Sequence, residues 1–363
     1  MLRAKPHIES LVPGPHGGIS YANLAEKGVS RGDILDFSTC CNPYGPPRQV
    51  YAALRRANIE LYPDPDSSQL VKALSRKIKV LPENLMAASG STEVIRLAAL
   101  AYFDRGDTVV IASPTYGEYE LACRLSRARI EKYALPESAG FQLNAADFIA
   151  FARQHEPAGI FLCNPNNPTG QYLSSRDVRR MVASFPQTLI ALDEAYIAFA
   201  DKAWDSRQLL SAPNILIIRS LTKDFALAGL RLGYGIGSKR LIDNLKKARP
   251  PWNVNSAAQQ AGLAVLGCTD YLENCLARIR SCKLYLVEQF TALGYQVIPS
   301  GAHYFLVRVA NAGRLKSRLL SRGFLVRDCT SFGLPDYIRV APRKMQDCRR
   351  LVRAVKALTG EQG

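Results

Sequence analysis

From about residue 85 onward the chain alternates short apolar runs with stretches of helical pattern, and this alternation limits the fold more than any other feature. Apolar runs at 84–89, 107–112, 129–134, 159–163, 189–193, 214–219 and 232–236 each have turn-forming residues beside them, and 92–103 carries the spacing of a helix. Strands separated by helices pair in parallel, because a parallel connection has to cross over the sheet. The pattern predicts an α/β fold with a mainly parallel central sheet flanked by helices. Ile215-Leu-Ile-Ile218 has no polar alternation, as a strand buried on both faces requires.

After Lys239 the texture changes. Helical stretches at 241–247, 256–266 and 271–293 precede strand-like runs at 304–309 and 337–340, the pattern of a smaller α+β unit. The first 45 residues, rich in glycine and proline around Pro13-Gly-Pro-His-Gly-Gly18, precede the alternation. The expected organisation is an N-terminal arm (1–45) packing with the small domain and the substrate site, a large domain (46–250) and a small α+β domain (251–363). A chain of 363 residues is long enough for two cores.

Lys plus Arg exceed Asp plus Glu by 47 to 31, and residues 240–363 alone hold 20 basic and 8 acidic side chains. Such an excess suits nucleic acid, a membrane surface or an anionic small molecule. The basic residues scatter over several helices without a helix-turn-helix, zinc or aromatic RNA-binding signature, so no nucleic acid is expected. No run approaches the roughly 20 apolar residues of a membrane span, and residues 1–10 carry no export signal, so no membrane partner is expected. Nine cysteines without a Cys-x-x-Cys pair suit reduced thiols in a cytoplasm better than disulfides, and no metal is expected. An anionic small molecule remains.

Ligands of an open parallel sheet bind beyond the carboxyl ends of its strands, so the residues just after the apolar runs matter most. Ser89-Gly-Ser-Thr-Glu93 joins a strand to a helix. Small residues there let backbone N–H groups face an anion at the helix N-terminus; an ordinary helix cap is the alternative. Asn164-Pro-Asn-Asn-Pro-Thr-Gly170 makes a rigid turn that offers asparagine amides to the crevice. Leu192-Asp-Glu-Ala-Tyr196 carries a carboxylate out of an apolar strand, and a buried carboxylate needs a cationic partner. Ser220-Leu-Thr-Lys223 puts a lysine among hydroxyls after another apolar strand, with Arg231 eight residues on. A lone lysine belongs on a solvated face, but this one has the surroundings of a site. Gly233-Tyr-Gly-Ile-Gly237 lacks the spacing of a dinucleotide-binding loop and is expected to be close-packed strand.

In this order the four motifs resemble those of pyridoxal-phosphate enzymes of aminotransferase class I/II, fold type I. The resemblance implies the aspartate-aminotransferase-like fold and pyridoxal 5'-phosphate as cofactor, bound in the large domain. Lys223 would be the Schiff-base lysine, and Asp193 the partner that keeps the ring nitrogen protonated as an electron sink. Asn167 and Tyr196 would bond the ring hydroxyl. Gly90, Ser91, Thr92, Ser220 and Arg231 would hold the cofactor phosphate, and Tyr116 would stack on the ring. Tyr62, in Tyr62-Pro-Asp-Pro-Asp66, corresponds to a tyrosine offered to the phosphate of a neighbouring subunit, which implies a homodimer with shared sites.

Two branches of this fold type accept phosphorylated substrates: histidinol-phosphate aminotransferases and the threonine-phosphate decarboxylases of cobalamin synthesis. His16-Gly-Gly18, Asp36-Phe-Ser38 and Asn42-Pro-Tyr-Gly-Pro-Pro47 resemble the decarboxylase N-terminus. Arg219-Ser-Leu-Thr-Lys223 is similar to that family's lysine segment, and Leu325-Val-Arg-Asp-Cys329 and Tyr337-Ile-Arg-Val-Ala341 to its arginine motifs. Cys40-Cys41 departs from the residues usual there. The expectation is therefore a lyase that removes carbon dioxide from L-threonine O-3-phosphate to give 1-amino-2-propanol O-2-phosphate. L-serine O-phosphate is the other candidate substrate, and a histidinol-phosphate or other phosphate-substrate aminotransferase is the rival reading. His16, Gly17, Asn42, Asn167, Arg327 and Arg339 would bind the small phosphorylated amino acid, two guanidinium forks gripping phosphate and carboxylate.

Overall fold

The computed structural model describes residues 2–11, 14, 17–18 and 31–360. After β1 (Leu35–Asp36), seven strands build the larger sheet: β2 (Leu85–Ala88), β3 (Thr108–Ser113), β4 (Arg129–Ala134), β5 (Gly159–Cys163), β6 (Leu189–Asp193), β7 (Ile215–Ser220) and β8 (Gly233–Gly237). Their spatial order is β2-β8-β7-β6-β5-β3-β4. All neighbours from β7 to β4 are parallel, whereas β8 is antiparallel to both β2 and β7. The exception has a local cause. The segment between β7 and β8 holds one short 3-10 turn, Ala228–Leu230, and no crossover helix, so the chain can only double back.

Helices cover both faces of this sheet. Ile160, Leu162, Ile190, Leu192, Ile215 and Ile217 face one core, packed with Leu70, Phe148 and Met181 from helices Ser68–Ile78, Ala145–Gln154 and Ser175–Ser184. Phe161, Ala191, Leu216 and Ile218 face the other, against Val94, Tyr119 and Leu241 from helices Ser91–Tyr102, Glu118–Leu125 and Lys239–Ala248. Alternate residues of one strand thus enter two separate cores, and for that reason the strand sequences are apolar without alternation.

Beyond the sheet, β9 (Phe305–Arg308), β10 (Phe324–Leu325), β11 (Arg327–Asp328) and β12 (Tyr337–Val340) follow the long helix Thr269–Ala292. β11, β12 and β9 form an antiparallel sheet, and β1 pairs in parallel with β10. The segment after β1 is thereby tied to the later part of the chain. Among the described residues no helix is long and apolar enough to cross a membrane. All nine cysteines are free thiols.

A buried ion pair locks the strand ends that carry the site. Arg219 on β7 donates from Nε to Glu194 Oε2 at 2.8 Å, and Ser206 Oγ donates to the same oxygen at 2.8 Å. Glu194 directly follows Asp193, and Arg219 directly precedes Ser220. Removing the carboxylate takes the ionic partner from a half-buried guanidinium and leaves it the Ser206 hydroxyl, so Glu194→Ala is expected to lower the unfolding free energy by roughly 3 kcal/mol. The loss would be read as a lower urea midpoint at unchanged slope.

Candidate active site

The carboxyl ends of β5, β6 and β7 meet the segment after β1 and strands β11 and β12 around a cavity of about 220 Å³. Of the residues expected at a site, Ser91, Thr92, Tyr116, Asn167, Asp193 and Tyr196 line it, as do Ser220, Lys223, Arg231, Arg327, Arg339 and Gly17.

One end is built for an anion. Gly90 sits at φ +82°, a left-handed conformation that turns the chain out of β2 and starts the helix Ser91–Tyr102 at the cavity. A Cβ on Gly90 would stand 2.8 Å from Arg231 Nη2, so only glycine lets the guanidinium lie over the helix start. Gly233 allows β8 to press on the same place, because a Cβ there would stand 2.6 Å from the Ser91 nitrogen. Glu93 Oε2 accepts the Ser89 N–H and the Asn253 side-chain amide, both at 2.6 Å, and fixes the turn from outside. First-turn N–H groups without helix partners, a guanidinium and the Ser220 hydroxyl together form an anion cradle.

The acid and the lysine stand deeper. Asp193, the last residue of β6, is buried, and its Oδ2 accepts the Tyr119 hydroxyl at 2.7 Å while Oδ1 accepts the Ala195 N–H at 2.9 Å. Burial pushes its carboxyl up to about 6, against the pull of those two hydrogen bonds and of Lys223. Lys223 Nζ lies 5.9 Å from the centre of the Tyr196 ring. Burial raises the Tyr196 phenol well above its usual range, so it is a neutral donor at physiological pH.

The opposite wall is cationic. Arg327 of β11 and Arg339 of β12 are direct cross-strand partners, and both are buried. Like charges in that arrangement repel. Burial, followed by the charge of Arg339, lowers the pKa of Arg327. Arg339 Nη2 donates to the Ser38 carbonyl at 2.6 Å and Nη1 to Asn167 Oδ1, while its buried Nε has no hydrogen-bond partner among the described residues. Arg327 Nη2 donates to Ser331 Oγ at 2.7 Å.

Four expected residues sit elsewhere or need comment. The Asn42 side chain donates to the Asp224 carbonyl at 2.9 Å, and its N–H donates to the Lys223 carbonyl at 2.8 Å. It braces the lysine loop and is not among the residues that line the cavity. Tyr62 is also outside the cavity, 78% exposed and stacked on Trp252 at 4.4 Å. Gly17 is close enough to Ser38 that a Cβ would meet its carbonyl at 3.0 Å, and the Gly18 N–H donates to Ser38 Oγ at 3.1 Å. His16 lies outside the described residues. Tyr119, Ser38, Thr222 and Ser331 line the cavity although no role was expected of them. Ser38 and Thr222 stand inside the Asp36-Phe-Ser38 and Ser220-Leu-Thr-Lys223 motifs, Tyr119 had a faint signal three residues after Tyr116 at the start of a helix, and Ser331 had none.

Residues 32–355 match the family model described as aminotransferase class I and II. The chain belongs to that family. A histidinol-phosphate aminotransferase of Symbiobacterium thermophilum is 36% identical over 334 residues, 91% of either chain. The structure of histidinol-phosphate aminotransferase from Sinorhizobium meliloti in complex with pyridoxal-5'-phosphate superposes with a TM-score of 0.89 at 21% identity, over 100% of this chain and 99% of that one. L-threonine-O-3-phosphate decarboxylase from Porphyromonas gingivalis gives a TM-score of 0.77 at 27% identity, over 90% and 99%. The fold is aspartate-aminotransferase-like, and the protein is a pyridoxal-phosphate-dependent enzyme.

The expected decarboxylase does not stand. Seven further curated relatives, 30 to 34% identical, also bear the name histidinol-phosphate aminotransferase. The lyase and cobalamin readings fall with it. The motifs that suggested them, a lysine segment and two arginines, can serve any phosphate-reading enzyme of this fold and do not select which bond breaks.

The cavity fits the cofactor: a phosphate-sized cradle with no room for a side chain at Gly90, and a buried carboxylate awaiting a cation. A ring-nitrogen cation binds Asp193 only while the carboxyl is ionised. Affinity for pyridoxal phosphate is expected to hold above pH about 6 and to fall as the pH drops through that value. Fluorescence titration at several pH values checks this, with Asp193→Asn weak throughout.

Proposed function

We propose that this protein is a homodimeric cytoplasmic aminotransferase that moves an amino group between a small phosphorylated amine, histidinol phosphate, and a 2-oxo acid. The observation that carries the reading is that curated relatives at 30 to 36% identity over most of the chain bear the name histidinol-phosphate aminotransferase, and the cross-strand pair Arg327 and Arg339 in the same cavity as Lys223 supports it. Two adjacent guanidiniums in one cavity wall offer paired N–H forks to the anionic groups of a small molecule. A transaminase presents such groups in turn, first the phosphate of the amine and then the carboxylates of the oxo acid, and guanidinium forks grip both.

When bound, pyridoxal phosphate supplies the carbonyl that takes the amino group and a ring that accepts an electron pair. Lys223 Nζ would take the proton from the substrate α-carbon and hold it for return on the far side of the nitrogen. Asp193 would keep the ring nitrogen charged, and Asn167 and Tyr196 would orient the ring through its hydroxyl. Arg327 and Arg339 would hold the anionic groups of the substrate; amino transfer requires that its C–H bond, and not a C–C bond, stand perpendicular to the ring.

Exposed Ile59, Leu61 and Tyr62 support a second copy of the chain as the partner. Thr92, Tyr116, Glu118 and Arg231 also line a neighbouring groove together with Leu100, which is 65% exposed. A subunit seated there would bring its Tyr62 to the phosphate cradle. The nine free thiols support a reducing compartment.

With L-histidinol phosphate and 2-oxoglutarate the enzyme is expected to form glutamate, and Lys223→Ala to abolish turnover. Absence of glutamate, or release of carbon dioxide from amino acid phosphates in its place, overturns the reading. Arg327→Met is expected to raise KM for the phosphorylated amine roughly 10- to 100-fold, the size of a hydrogen bond to a charged group. Mixing Lys223→Ala with Tyr62→Ala chains tests the shared site: activity above that of either variant alone supports it, and no gain refutes it.

A further inference from the structure

Tyr119 belongs to the helix Glu118–Leu125 and is fully buried. Its ring stacks on Phe161 of β5, with centroids 5.0 Å apart and planes 9° apart, and meets Tyr116 edge to face at 5.6 Å. Held on two sides, the ring has little choice of where to put its hydroxyl, which donates to Asp193 Oδ2 at 2.7 Å. The Ala195 N–H donates to Oδ1. Each carboxylate oxygen thus has one fixed donor, and two donors on two oxygens set the plane of the group.

We infer that Tyr119 is a positioning residue whose hydroxyl aims the Asp193 carboxylate at the cofactor ring nitrogen and holds it ionised. The inference rests on the role proposed for Asp193. The titratable groups around that carboxylate give the hydroxyl its importance. Cys163, opposite Asp193 on β5, has its thiol pushed up to about 12 by burial and stays neutral. Glu194, the next residue, opposes ionisation, and Lys223, from the loop after β7, favours it. Lys223 would no longer be a free ammonium once its amine formed a Schiff base. The hydrogen bonds from Tyr119 and Ala195 remain, and a bond to a charged acceptor is among the stronger ones.

Tyr119→Phe deletes the hydroxyl and keeps the stacked ring. Dissociation constants of the loaded protein are to be measured for pyridoxal phosphate and for an analogue whose ring nitrogen is replaced by C–H and so cannot pair with a carboxylate. Wild type is expected to favour the true cofactor. In Tyr119→Phe the true cofactor is expected to weaken roughly 10- to 100-fold, and the analogue by less than about threefold. The pH at which cofactor affinity falls is expected to move upward, because the ionised carboxylate has lost a donor. Both ligands are compared on the same folded protein, so lower stability of the variant does not imitate this result. Equal weakening of both ligands, or unchanged affinity for the true cofactor, overturns the proposal. If wild type fails to distinguish the two ligands, the ring-nitrogen role of Asp193 is wrong and the proposal falls with it.

Discussion

Parallel pairing of β3, β5, β6 and β7 is the constraint on which the rest of the structure depends. Because these strands run the same way, their carboxyl ends lie together, and the register sets Cys163 beside Asp193 and Asp193 beside Ile218. Every loop that follows a strand then opens onto the same edge. Asn167, Asp193 and Lys223, far apart in sequence, become neighbours without any long-range feature of their own. Helices on both faces leave this edge as the place where polar side chains can converge, since each face of the sheet is a closed apolar core.

Electrostatics decides what such a convergence can hold. The cavity has a cationic wall, Arg327 and Arg339, a second guanidinium site at Arg231, and two buried carboxylates, Asp193 and Glu118, the latter paired with Arg96. Positive groups at two separate places suit a cofactor and a substrate that each carry an anionic group, and Asp193, which among the described residues has no arginine paired with it as Glu118 has, suits a cation on the cofactor ring. The large positive charge of the chain therefore has a specific meaning at a few residues, and for the rest, such as Arg349, Arg350 and Arg353 on the exposed side of the last helix, it is surface.

Much of this was legible in the amino-acid sequence because the sheet is parallel and doubly covered. Such strands are short uninterrupted apolar runs, and β4, β5, β6 and β12 fall where the pattern predicts them. Lys223, Asp193, Ser91 and Arg231 sit in motifs whose residue types are chemically demanding, and the structure brings all four to one cavity. What escaped lacks such a signature. Tyr119 is indistinguishable from a core aromatic until its hydroxyl is seen against Asp193. Asn42 stands in a recognisable motif, yet its hydrogen bonds go to the Lys223 loop and not to the cavity. The cross-strand pairing of Arg327 with Arg339 depends on a register that the intervening turn hides. The choice between decarboxylation and amino transfer was misjudged for a related reason: it rests on ångström-scale orientation of the substrate, and residue identities shared by both kinds of enzyme do not record it.

The central claim is that Lys223 is the residue that holds pyridoxal phosphate. Reducing the loaded protein with borohydride fixes the cofactor permanently to whichever lysine carries it, and peptide mass spectrometry then locates the added mass. The account predicts a single modified peptide containing Lys223. Modification of a different lysine, or a cofactor that remains dissociable after reduction, would contradict it.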